Sequence, residues 1–75
     1  MLKDLIALIP AEETKLLQQL KSISSSMDYC PPEDMERWFT FTRRTLLNHK
    51  DKPWFDNSIF TILAIESKFE STLKG

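Results

Sequence analysis

Glycine is nearly missing from this chain: among 75 residues there is one, Gly75. That scarcity removes the glycine-dependent chemistries, namely the phosphate loop, the dinucleotide fingerprint and the nucleophile elbow. Cysteine is represented only by Cys30, so no internal disulfide and no cysteine-built zinc site can form. Histidine is represented only by His49, which rules out paired-histidine metal motifs. No apolar run is long enough for a membrane span. The opening MLKDLIALIPAEE is apolar only briefly, is interrupted by Asp4 and lacks a small-residue cleavage site. No targeting segment and no membrane association are expected, and a reducing, cytoplasmic setting fits one cysteine.

What remains is a chain suited to helices. Hydrophobic residues make up 41%, too many for disorder and enough for one small core. A single domain over residues 1–75 is expected, and its stability would be marginal without unusually good packing or a partner. Self-association is therefore an expectation on stability grounds alone.

Four periodic segments follow. Leu2, Leu5, Ile6 and Ile9 recur at helical spacing, and Pro10 ends that run. A second helix is expected from Pro10, with Glu12 and Glu13 at its positive end. Leu16, Leu17, Leu20 and Ile23 form its stripe, and Met27 extends it. The serines of SISSSMD compete for backbone hydrogen bonds, which places its end between Ser24 and Met27. Pro31 and Pro32 break the chain, and Pro32, Glu33, Asp34 and Glu36 open a third helix. Met35, Trp38, Phe39, Thr42 and Leu46 line its inner face, widened by Phe41, Thr45 and Leu47. A fourth helix is expected with Asp51, or else Asp56 or Asn57, as its cap. Phe55, Ile59, Ile62, Leu63, Glu66 and Phe69 follow its period, Phe60 and Ile65 widen it, and Leu73 completes it. The expected fold is an all-α bundle of one short N-terminal helix and three longer ones, with a dimer of hairpins as the competing architecture.

Charge is unevenly placed. Residues 1–36 carry a net −4, residues 37–52 a net +4, and the remainder −1. A uniformly basic nucleic-acid binder is excluded, but a local basic strip is not. Arg37 and Arg44 are seven apart and share a helical side, with Arg43 offset and Lys50 and Lys52 beyond the helix end. That strip could steer a protein partner or meet phosphates, although cations at a helix C-terminus also complement its dipole.

No catalytic constellation is expected. His49 reads as a residue at a helix end, Cys30 as a thiol without an activating partner, and Glu33, Asp34 and Glu36 as acids favoured at a helix start. No metal and no cofactor are expected. The strongest feature is seven large aromatics: Trp38, Phe39, Phe41, Trp54, Phe55, Phe60 and Phe69. They exceed what so small a bundle easily buries alongside its Leu and Ile residues. The surplus points to anchors for a protein partner. Trp54 is the first choice, at a helix start beside Pro53, with Phe41 next, off the main stripe. The candidate partner-binding set is Trp54, Phe41, Phe55, Arg43, Arg44, Lys50 and Lys52. The leading expectation is a non-catalytic protein-interaction module: an accessory subunit, adaptor, inhibitor or specialised chaperone. The alternative is a small nucleic-acid-binding regulator that uses residues 37–52.

Pro32, Glu33, Met35, Trp38, Phe39, Arg43 and His49, together with the opening MLKD, resemble elements of the small theta subunit of bacterial DNA polymerase III. The resemblance covers PPEDMERWFTFTRRTLLNHK, with the arginine and histidine out of register and a different tail. It implies an accessory role bound to a nuclease subunit, without catalysis.

Overall fold

The computed structural model describes the backbone of residues 1–74 and the side chains of residues 1–72. Leu73 therefore lies outside the described side chains. The fold is all-α: α1 (Lys3–Leu8), α2 (Thr14–Tyr29), α3 (Met35–Leu47) and α4 (Phe55–Lys74), with a 3-10 turn at Pro32–Asp34 leading into α3. α1 packs on α2 and α4, and α3 packs on α2 and α4, so α2 and α4 stand on a diagonal. One cluster fills the centre: Leu2, Leu5, Ile9, Leu16, Leu20, Ile23, Met27, Met35, Phe39, Leu46 and Ile62.

Proline placement explains the breaks. Ile9 and Cys30 both leave their helices in extended conformation because a proline follows each. α2 starts later than its sequence suggests. Residues 10–13 form a turn in which the Glu13 N–H donates to the Pro10 carbonyl at 3.0 Å, and Thr14 opens the helix. α2 also ends later, at Tyr29, so the serine run stays helical. The reason is packing: Ile23 and Met27 are both buried and hold that turn in place. Ser24 is half-buried, and its hydroxyl accepts the Leu2 N–H at 3.1 Å, tying the start of α1 to α2.

In α3, Met35, Phe39, Thr42, Thr45 and Leu46 are buried. Thr42 and Thr45 satisfy their hydroxyls by donating to the carbonyls of Trp38 and Phe41, each at 2.9 Å. Residues 48–54 form successive turns rather than the start of α4. Asp51, Asp56 and Asn57 do not cap α4. Phe55 is its first residue, and the carbonyl of Trp54 accepts the Ser58 N–H at 3.1 Å. On α4, Ser58 and Ile62 are fully buried, with Phe55, Ile59, Ile65 and Phe69 packed beside them. Leu63, expected on the inner stripe, is instead 46% exposed. Ser58 takes an inner position because its hydroxyl donates to the Phe55 carbonyl at 2.7 Å, leaving no orphan polar group.

Candidate interaction surface

Two contacts fix how α3 and α4 lie against each other. The Phe39 and Phe69 rings meet edge-on with centroids 5.8 Å apart, and the Arg43 guanidinium pairs with the Glu66 carboxylate. Moving forward along α3 corresponds to moving backward along α4, so the pair is antiparallel. Leu47, one turn beyond Arg43, is thereby level with Ile62 and Leu63.

That pairing divides the arginines. Arg43 is committed to Glu66, whose side chain is only 15% exposed, and it also reaches the Thr40 hydroxyl at 3.3 Å. Arg44, its neighbour, points outward and is exposed. Arg37 and Arg44 line one open groove on the outer side of α3 with Glu33, Glu36, Thr40 and Phe41. Among the described residues, neither Arg37 nor Arg44 makes an ion pair. Phe41 is 46% exposed there and meets the half-buried Trp38 edge-on at 6.3 Å. The expected sharing of one helical side by Arg37 and Arg44 thus has a groove between them, with an aromatic ring in it.

The corner at residues 48–54 is differently built. Trp54 is half-buried against the core, and its ring lies 5.5 Å from that of His49. Phe55 is half-buried as well. Glu13 sits beneath this corner, with His49 Nδ1 at 3.6 Å and Lys52 Nζ at 3.9 Å from its carboxylate. These contacts brace the start of α2 against the corner, so Trp54, Phe55 and Lys52 help close the fold. Lys50 is exposed beside them. Of the candidate set, Phe41 and Arg44 share a surface. Trp54, Phe55, Lys50 and Lys52 belong to the corner, and Arg43 belongs to the α3–α4 seam.

The structure also exposes residues that the sequence-based set left out. Phe60 is 72% exposed on the outer side of α4, and Leu63 and Leu47 (46% and 44%) stand at the α3–α4 seam. Tyr29 is exposed at the end of α2. A helical projection through Ser58 and Ile62 would have placed Phe60 outward. The wide apolar band of α4 hid that choice, because Ile59, Ile62 and Leu63 beside it also looked like core. Cys30 is half-buried, with Sγ 3.4 Å from the Met27 carbonyl and 3.2 Å from Met35 Sδ. Among the described residues, no three His, Cys, Asp or Glu side chains gather into a metal-binding group. None of the described helices is long and apolar enough to cross a membrane.

The architecture makes this chain a small all-α bundle. Comparison with family models, with curated proteins and with solved structures finds no match. The likeness of residues 31–50 to the theta subunit has no family support.

Proposed function

We propose that this chain is a non-catalytic protein-interaction module that binds its partner through the outer face of α3. Phe41 is the anchor, and Arg37 and Arg44 on either side of it steer the partner's approach. The observation that carries this reading is a large aromatic ring left half in water between two cations that make no ion pair among the described residues. Exposed aromatics and arginines supply most of the binding energy in small interfaces, and unpaired cations raise the rate of encounter. Trp54 contributes indirectly, by holding the corner through which α3 passes into α4.

The nucleic-acid reading has weaker support. Arg43 is engaged by Glu66 and Lys52 by Glu13, and Glu33 and Glu36 line the same groove as the remaining arginines. Carboxylates beside the strip repel phosphates. A cytoplasmic setting suits the single free thiol of Cys30.

Affinity capture with the full chain, compared across variants, tests the proposal. Phe41→Ala and Arg44→Glu should each deplete a partner retained by the unaltered chain, by about tenfold or more for a true anchor. Both positions are exposed, so helical content should not change. Undiminished recovery of the same partners by both variants would refute the α3 surface.

A further inference from the structure

The outer face of α4 carries a pattern that is complementary to its own reverse. Asp56, Phe60, Ala64 and Lys68 recur every four residues, forming one ridge, and all four are exposed. The ridge runs acid, large apolar, small apolar, base. Reversed and laid against itself, it sets Asp56 beside Lys68 and Phe60 over Ala64, and each of these pairings occurs twice. The midpoint of the ridge is level with Ile62, the most deeply buried apolar side chain of α4, so the crossing would sit over the firmest part of the helix.

We propose that this face is the interface of a two-fold symmetric dimer of the chain, with the two α4 helices antiparallel and crossing near Ile62. Ridges of four-residue spacing interdigitate at a crossing angle of about −50°, which lets the whole ridge run alongside its reversed copy. Phe60 of each copy covers the partner's Ala64, where the absence of a larger side chain leaves room for the ring. Asp56 and Lys68 close the two ends with opposite charges. Self-complementarity of one patch is what an isologous interface requires and what a contact with an unrelated protein does not. Leu63, with Leu47 level with it on α3, borders the ridge and extends the apolar area covered. Burying the most exposed phenylalanine of the described chain also relieves a bundle whose length leaves it little core. The proposal is independent of the α3 surface, since no residue lining that groove belongs to this ridge.

Solution mass across a concentration series, from micromolar to millimolar, tests it on the full chain. The mass should rise from the 8.8 kDa of one chain toward twice that value. Phe60→Asp should leave a monomer at every concentration with unchanged helical circular dichroism. Asp56→Lys and Lys68→Asp should each weaken the dimer about tenfold or more, since each places like charges together at both ends. The double variant D56K/K68D should recover dimerisation, and so should an equimolar mixture of the two single variants. A monomeric unaltered chain would overturn the proposal. So would a dimer indifferent to Phe60→Asp, or single swaps that neither the double variant nor the mixture rescues. Capture of a partner through Phe41 is read separately, so either surface can fail without the other.

Discussion

Neighbouring arginines on α3 should behave as opposites when removed. Arg43→Met keeps most of the apolar stem and deletes the charge, leaving the Glu66 carboxylate, 15% exposed, without its guanidinium. Exposed pairs contribute about 0.2–1 kcal/mol, and breaking a fully buried pair costs about 3–5 kcal/mol. With Arg43 at 36% and Glu66 at 15% exposure, the pair falls between these limits. The expected loss is about 1.5 kcal/mol. For a chain of this length, 1 kcal/mol corresponds to about 6 °C in Tm, so the variant should melt about 9 °C lower. Arg44→Met, one residue along but facing water, should stay within about 3 °C of the unaltered chain. Thermal and urea unfolding followed by circular dichroism measures both. A cycle with Glu66→Gln should return a coupling of about 1 kcal/mol between positions 43 and 66. Equal melting temperatures for Arg43→Met and Arg44→Met, or a coupling below about 0.3 kcal/mol, would refute the assignment of Arg43 to the seam.

Other perturbations test the interior. Leu20 is fully buried at the centre of the core, so Leu20→Ala should cost about 3 kcal/mol by urea unfolding, and a loss below about 1 kcal/mol would mean the helices do not enclose it. Thr42→Val keeps shape and removes a hydroxyl bonded only to the Trp38 carbonyl of its own helix, so stability should change by less than about 1 kcal/mol. If Thr42→Val instead cost more than about 2 kcal/mol, that hydroxyl would have a further partner. Ser25→Ala, exposed within α2, should stabilise the chain by about 0.3–0.5 kcal/mol, since the serine run is helical; a destabilisation would indicate that this turn frays.

Differences between the expected and observed helix limits share one cause. The serines of α2 are poor helix formers in isolation, yet Ile23 and Met27 are buried, and their packing outweighs local preference. At the corner, Asp51 has the chemistry of a cap, but residues 48–54 run as turns with Trp54 packed against the core, and α4 begins at Phe55. In both places a contact distant in sequence decided a local conformation. The candidate surface was legible to the same extent. Phe41 stood out because it left the stripe of Met35, Phe39 and Leu46, and it is exposed. Trp54 stood out only for its position beside Pro53, and its ring is turned toward the core.

Apolar periodicity, the four prolines and the lack of glycine determined, without any tertiary information, that the chain folds as one short and three longer helices. These are local properties: spacing sets which residues share a helical side, and proline sets where a helix must stop. Which half of a wide apolar side goes inward is a different matter. It depends on the order in which helices pack and on the register between residues such as Arg43 and Glu66, which lie 23 positions apart. Only the tertiary structure decided that Arg43 braces while Arg44 is exposed, and that Trp54 packs inward while Phe60 faces out. Burial is conferred by the neighbouring helix that covers a side chain, and no residue carries that neighbour in its own local sequence.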